Sequence, residues 1–401
     1  MKRYDRYKVR LYPTSEQLNL AISYGNGAKF AWNWALNEFN KAYRNDEPTP
    51  TKYTLTKLFT QYKRIAGNEW LRDLSARSLR GAIERLCQAM IDFFANIKGR
   101  PKFKKKRTNK MSFSTHEETF IVTDNKIRCE KLGWIKCAKH HIPAGDHITY
   151  FNPVIIIDHG KMFFSVGIHY RRPIKPKYHS SQRPVNDVVG IDIGIKTPAV
   201  ASNGMKCNKP NTKKLWKRLA RYKRRASKHY KSMIDKAIRT KTKFKHIPKS
   251  KNLQKLETKV YQCHQRISNI IKTNIHNFTA NIMKYNPKLI VLDKVNVQSA
   301  LKGILDRKAA LESSMGEIYR QLEYKSIIND IPLIYAPSHF PSTQTCHHCG
   351  YIRSAKTQDK MTLNDRVYVC PMCGYTEDRD LNASYNLKDY GVKYMLSKEA
   401  M

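Results

Sequence analysis

The sequence predicts an α/β domain joined to a β-rich module that carries a helical insertion. Three observations predict it. Residues 113–172 read as short strands separated by turns such as Asp158-His159-Gly160. From Asp187 onward, apolar strand-like runs alternate with long helical stretches. Two CxxC pairs then interrupt that alternation just before a last helix.

Each element has its own signal. Lys8-Val9-Arg10-Leu11-Tyr12-Pro13 alternates as a strand and stops at Pro13. Thr14-Ser15-Glu16-Gln17 has the hydroxyl cap and early acid of a helix start, and helical periodicity runs through Phe30-Ala31-Trp32-Asn33-Trp34 to about Tyr43. Trp32 and Trp34 read as packing residues. Two more helices are predicted over 52–65 and 76–97. Lys98-Gly99-Arg100-Pro101-Lys102-Phe103-Lys104-Lys105-Lys106-Arg107 breaks the pattern as a basic loop. Phe120-Ile121-Val122, Trp134-Ile135, Val154-Ile155-Ile156-Ile157 and Phe163-Phe164-Ser165-Val166 are strand-like. The run Arg171 to Pro184 reads as a linker. Residues 1–180 therefore form the β-module, with its helical insertion at about 14–98.

In the second half, Val188 to Ser202 predicts a β-hairpin arm that passes through Asp192 and turns at Asn203-Gly204. Residues 211–283 predict strongly basic helix, broken near Ile247-Pro248. Lys288-Leu289-Ile290-Val291-Leu292-Asp293 is a buried strand ending in an acid. A helix follows over Gly316 to Asn329, and a strand over Ile331 to Ala336. The divisions expected are 181–337 for the α/β domain, 338–377 for the cysteine-bound insertion and 378–401 for the closing helix that Asp380 opens.

Charge narrows the partner. The chain has 401 residues with 75 Lys+Arg against 32 Asp+Glu, a net charge of +43. Solubility needs far less, so a polyanion is implied. Hydrophobic content of 41% allows sizeable cores and excludes a disordered chain. No apolar run approaches the ~20 residues that span a bilayer. Met1-Lys2-Arg3-Tyr4-Asp5 does not open a signal peptide. The reading is an intracellular protein that binds nucleic acid, with no membrane role.

Cys346-x2-Cys349 and Cys370-x2-Cys373 lie 20 residues apart. Each turn aims two thiolates at one point, and two turns complete a closed tetrahedral Zn²⁺ site that is structural rather than catalytic. His347 and His348 are possible substitute ligands. Cys87, Cys129, Cys137, Cys207 and Cys263 are scattered and read as ordinary small residues.

Three acids invite a second metal reading. Asp192 lies in an apolar strand, Asp293 ends another, and Asp380 stands at a helix start where Asp is a common cap. Each has a bland explanation. Together, as acids from two strands and a late helix meeting at a sheet edge, they fit a two-Mg²⁺ phosphodiesterase site. The helix from 211 carries Lys213, Lys214, Lys217, Arg218, Arg221, Lys223, Arg224, Arg225 and Lys228 around Trp216 and Tyr222, a density that suits a nucleic-acid backbone. Lys217, Arg221, Arg224 and Arg225, together with Lys102, Lys104, Lys105 and Lys106 of the basic loop, are the phosphate candidates. Arg77 and Arg80 share a helix face with Arg85 to one side. They suit a nucleic-acid contact or simple solvation.

These residues resemble the TnpB family, the RNA-guided endonucleases of insertion sequences and ancestor of type V CRISPR effectors. The resemblance rests on Val9-Arg10-Leu11-Tyr12-Pro13, Asn33-Trp34-Ala35-Leu36, Pro101-Lys102-Phe103-Lys104-Lys105 and Gly190-Ile191-Asp192-Ile193-Gly194-Ile195-Lys196. It continues through Gln321-Leu322-Glu323-Tyr324-Lys325, the CxxC pairs and Asp378-Arg379-Asp380-Leu381-Asn382-Ala383. It implies a RuvC-like domain of the ribonuclease H type with an inserted zinc ribbon, and an N-terminal β-barrel-like wedge with a helical recognition insertion. It also implies a guide RNA from the transposon end and double-stranded target DNA opened beside a short adjacent motif. The particle would be a monomeric ribonucleoprotein in the prokaryotic cytoplasm, associated with the nucleoid. Asp192 and Asp380 fall on the family's first and last catalytic acids. The middle acid departs, since the family usually has Glu where this chain has Asp293, one methylene shorter. No Glu lies close in sequence to stand in, the next being Glu312; Glu317 or Glu323 of the following helix could do so only if the fold brings one to the sheet edge. The expected activity is DNA cleavage. Alternatives are a nuclease-attenuated, RNA-guided DNA-binding repressor and an unguided transposase.

Overall fold

The structure is a computed structural model that describes residues 4–105, 110–117, 119–145, 148–170, 187–244, 247–293, 313–338, 340–353, 361–362 and 365–399. It divides into two compact units, Met1–Ile174 and Lys175–Met401.

The first unit begins with β1 (Tyr4–Tyr12), whose residues alternate between core and solvent. Helix α1 (Ser15–Arg44) starts on a reciprocal cap: Gln17 N–H donates to Thr14 Oγ1 and Thr14 N–H to Gln17 Oε1. Helix α2 (Lys52–Tyr62) and, after a 3₁₀ turn at Glu69–Leu71, helix α3 (Ala76–Phe94) follow, capped by Thr51 and Ser75. Six strands come next: β2 (Lys110–Ser114), β3 (Ile121–Val122), β4 (Lys126–Cys129), β5 (Gly133–Cys137), β6 (Ile148–Asp158) and β7 (Lys161–Tyr170). The seven strands pair in the order β2-β6-β7-β1-β5-β4-β3, every neighbour antiparallel. No β2–β3 pairing closes it into a barrel among the described residues. One face, with Leu11, Phe164, Ile155, Ile127 and Ile135, packs in the same core as Ala28, Ala31, Leu79 and Ile83 of α1 and α3.

The second unit holds β8 (Val188–Asp192), β9 (Ala199–Ala201), β10 (Lys206–Cys207), helices α4 (Lys213–Arg239) and α5 (Lys251–Tyr285), β11 (Leu289–Leu292), helix α6 (Met315–Asn329) and β12 (Leu333–Tyr335). The sheet order is β10-β9-β8-β11-β12. The pairs β8–β9 and β9–β10 are antiparallel, and β8–β11 and β11–β12 are parallel. In order of appearance this is 3-2-1-4-5 with the second strand reversed, the ribonuclease H-type arrangement. One reading of the sequence needs correction. Asn203-Gly204 turns the chain from β9 to β10, not within the β8 arm; the β8–β9 reversal lies at residues 193–198, and Gly204 has φ 83°. The break near Ile247-Pro248 separates α4 from α5. The Arg171–Pro184 linker lies outside the described residues.

Strand β11 is buried on both faces, which explains its unbroken apolar run. Val189, Ile191, Ile290 and Leu292 face a core with Ile275, Phe278 and Ile282 of α5 and Ile318 and Leu322 of α6. Val188, Leu289 and Val291 face Leu387 of the last helix, α7 (Arg379–Glu399). Between α6 and α7 lie the cysteine pairs and the hairpin β13 (Val367–Val369) and β14 (Thr376–Asp378).

Candidate metal centres and nucleic-acid surfaces

The tetracysteine site assembles as the spacing predicts. Cys346, Cys349, Cys370 and Cys373 place their sulfurs within 4.8 Å of one another. Cys346 and Cys373 Sγ are 3.8 Å apart, and Cys349 and Cys370 Sγ 3.5 Å. A tetrahedron with Zn–S bonds of about 2.3 Å has edges of about 3.8 Å, so these four residues fit a zinc ion. Neither histidine is needed. His347 Nδ1 pairs with Asp389 Oδ2 at 2.8 Å and its ring lies against Tyr385, while His348 stacks on Tyr375.

The knuckle is tied to α7 by the motif that follows it. His347 N–H donates to Asn382 Oδ1, and Asn382 Nδ2 donates to the Thr345 carbonyl. Asn386 Nδ2 donates to the carbonyls of Ser342 and Thr345. Arg379 reaches back to the carbonyls of Thr362 and Asp365. Sequence reading singled out Asn382 as part of a motif but not its role as a clamp.

That clamp sets the position of Asp380. The helix cap is Asp378, whose Oδ1 accepts from the N–H groups of Asp380 and Leu381, each at 3.0 Å. Asp380 is therefore not the cap, and its carboxylate is free of that task. Thr197 hydrogen-bonds to it from the β8–β9 reversal. Burial and then Asp378 raise its pKa, against the opposing pull of Arg366 and Arg379.

Asp192 ends β8 on the face turned to α7. Its side chain keeps partial solvent access at the sheet end, yet it is closely surrounded. Burial first, then the charges of Asp380 and Asp293, push its carboxyl up to about 7. The fold thus brings all three acids within electrostatic reach. Like charges gathered in a partly dry site repel, and a divalent cation relieves that repulsion. An all-carboxylate set suits a hard cation such as Mg²⁺. The acids are looser than the cysteines: among the described residues only the cysteine set draws every ligand atom within 4.8 Å.

Asp293 follows β11 directly, and its carbonyl accepts from Tyr319 Oη of α6 at 2.9 Å. The glutamates considered as stand-ins are occupied elsewhere. Glu317 is bidentate to Arg320 and accepts from Gln321, and Glu323 accepts from Tyr335 Oη. Glu312 lies outside the described residues.

The basic candidates divide. Lys217, Arg221, Arg224 and Arg225 are exposed on α4. Lys102 and Lys105 are exposed on the basic loop, and Lys106 lies outside the described residues. Lys104 is pinned: its backbone exchanges two hydrogen bonds with Asn33, and its ammonium sits 3.9 Å over the Trp32 ring. Burial, then Arg85 and Lys29, lower its pKa to about 8. Arg77 pairs with Glu84 at 2.8 Å and Arg80 with the same Glu84 at 3.2 Å; both line an open groove of about 500 Å³ between α2 and α3. Arg85 is committed inward to Ser114 Oγ and the Ser112 carbonyl.

The second unit therefore joins a ribonuclease H-type sheet, an acid cluster at one end of it and a tetracysteine set able to hold zinc. Residues 316–387 match the family "Cas12f1-like, TNB domain" and residues 1–47 the family "Helix-turn-helix domain". In this chain residues 4–44 form a strand and one continuous helix rather than a helix-turn-helix. A protein of Streptomyces pristinaespiralis called a putative RNA-guided DNA endonuclease is 24% identical over 96% of this chain and 89% of its own length. The Escherichia coli putative RNA-guided DNA endonuclease InsQ is also 24% identical, over 96% of this chain and 92% of its own. A Cas12f1–sgRNA–target DNA complex is 12% identical, covering 96% of this chain and 99% of that one, with a TM-score of 0.35, too loose a likeness to bear on mechanism. Both curated relatives thus align with this chain over nearly all of its length. No described helix is long and apolar enough to cross a membrane.

Proposed function

We propose that the protein is an RNA-guided DNA endonuclease that hydrolyses phosphodiester bonds at Asp192, Asp293 and Asp380. The observation that carries the reading is the release of Asp380 from capping duty by Asp378, which leaves its carboxylate facing Asp192. The names of the full-length relatives support the same activity.

In this reading the three carboxylates hold Mg²⁺, which when bound stabilises charge on the attacking and leaving oxygens. The chain's own work is positional. Strand β8 fixes Asp192, the Asp378 cap and the knuckle clamp fix Asp380, and Tyr319 fixes the backbone of Asp293. Lys217, Arg221, Arg224 and Arg225, with Lys102, Lys105 and Lys106, hold phosphates of guide RNA and target DNA. Lys104 acts by holding the loop to Trp32. Arg77, Arg80 and Arg85 border the region proposed for the adjacent-motif duplex, Arg85 as its inner brace. Guide pairing supplies sequence specificity, and the protein reads duplex shape and the adjacent motif.

We assign 1–180 as wedge and recognition module, 181–337 and 378–401 as the RuvC-like nuclease, and 338–377 as zinc ribbon, in a monomeric ribonucleoprotein. A second reading, a guided DNA-binding repressor, is favoured by one observation: Asp293 stands where the family has Glu, and no described glutamate replaces it. Cleavage of matched DNA in Mg²⁺, with Asp192→Ala as control, separates the two. Loss of guided binding as well would defeat both.

A further inference from the structure

The solvent-facing side of the first unit's sheet has a composition that the core does not require. Strand register places Tyr12 opposite Lys136, Lys136 opposite Lys126, Trp134 opposite Arg128, and Arg128 opposite Ile121. Tyr12 is 56% exposed and Trp134 46%. Because Trp134 is two residues from Lys136 on β5, it is the diagonal neighbour of Tyr12, roughly 7–8 Å away by sheet geometry. Arg10, two residues before Tyr12, lies against both the Tyr12 and Phe163 rings, and Lys8 covers Phe163 at 4.3 Å. No Asp or Glu occupies these positions on β1, β3, β4 or β5.

Single exposed aromatic residues are ordinary. Two diagonal aromatics framed by cations, with Lys126 directly facing Lys136, are not. A like-charge cross-strand pair costs stability unless an anion lies between the two. The backbone that carries Trp134 is anchored, since Gln17 Nε2 donates to its carbonyl and to that of Leu132. Exposed aromatic rings beside a cluster of cations suit unpaired nucleotides, whose bases expose their faces. A duplex hides those faces in its own stack.

We propose that this sheet face is a stacking surface for a single-stranded nucleic-acid segment, with bases on Tyr12 and Trp134 and phosphates on Arg10, Lys126, Arg128 and Lys136. This rests on the nucleic-acid reading above and adds a site to it. The test is a titration of the full chain with labelled oligouridylate, oligothymidylate and a mixed-sequence duplex of equal length, at one fixed salt concentration. Trp134→Ala and Tyr12→Ala each weaken single-strand binding roughly 5- to 100-fold. They leave duplex binding within about twofold and the unfolding midpoint unchanged, and Trp134→Phe restores most of the affinity. A larger loss on uridylate assigns the segment to RNA, and on thymidylate to DNA; either supports the site. Unchanged single-strand affinity in both alanine variants overturns it, as does an equal loss on duplex. If the wild-type chain binds none of the three, the nucleic-acid reading itself fails.

Discussion

Gly190 of β8 lies directly against the backbone of Ser384 in α7: a Cβ at Gly190 would sit 2.2 Å from the Ser384 carbonyl oxygen and 2.4 Å from Lys388 N. The contact explains how two distant acids meet. Asp192 is two residues beyond Gly190 on the same strand face, about 6.6 Å along the strand. Asp380 is one turn before Ser384, about 6 Å along the helix. The bare glycine lets α7 touch the sheet, and the matching offsets bring the carboxylates to one end.

Gly190→Ala therefore forces backbone apart rather than a flexible side chain. It destabilises the chain by about 1–3 kcal/mol and abolishes metal-dependent cleavage. Thermal unfolding and a cleavage assay check both. Gly391→Ala, which meets the side chains of Val291 and Val188, is the milder comparison.

The clamp predicts that zinc matters to the acid site without touching it. Cys370→Ala loses bound zinc, measured by metal analysis, whereas His347→Ala keeps it. Asn382→Ala removes two hydrogen bonds between knuckle and α7, costs about 1–3 kcal/mol and lowers cleavage while retaining zinc. Zinc loss in Asn382→Ala would contradict the clamp.

Asp293 is the weak member of the acid set. Asp293→Glu raises the cleavage rate at limiting Mg²⁺ and leaves guided binding unchanged. Tyr319→Phe, which loses the hydrogen bond to the Asp293 carbonyl, raises the Mg²⁺ concentration needed for half-maximal cleavage. Rates measured across a magnesium titration decide both.

Lys325 carries a pH dependence separate from the acids. Its ammonium is buried on α6, donating to Thr279 Oγ1 at 2.6 Å and to the His276 carbonyl. Burial, then Arg320, lowers its pKa to about 8 from the usual 10.5. Between those values the unfolded chain holds the proton that the folded chain has released, so this group makes stability rise with pH across that window. The stability difference between wild type and Lys325→Met shifts in favour of wild type from pH 8 to 10.5. Parallel curves would contradict the assignment.

Much of this was legible in the sequence because local signals agreed. The α1 cap, the α4–α5 break and the zinc spacing each rest on a few adjacent residues. The apolar run at 289–292 likewise announced a buried strand. Other features depend on contacts that spacing does not encode. Asp378 and Asp380 are equally plausible caps in sequence, and only the helix start distinguishes them. Lys104 reads as one of the loop's four candidate phosphate lysines until Trp32 and Asn33 fold over it. Trp134 and Tyr12 are 122 positions apart in sequence, and only the β1–β5 register makes them neighbours.

The most direct test of the account is cleavage of matched double-stranded DNA by the purified ribonucleoprotein in Mg²⁺, comparing wild type with Asp192→Ala and Asp380→Ala. The account predicts guide-dependent double-strand breaks that vanish in both variants while guided binding remains. Breaks that persist in either variant, or guided binding without breaks in wild type and in Asp293→Glu alike, would contradict it.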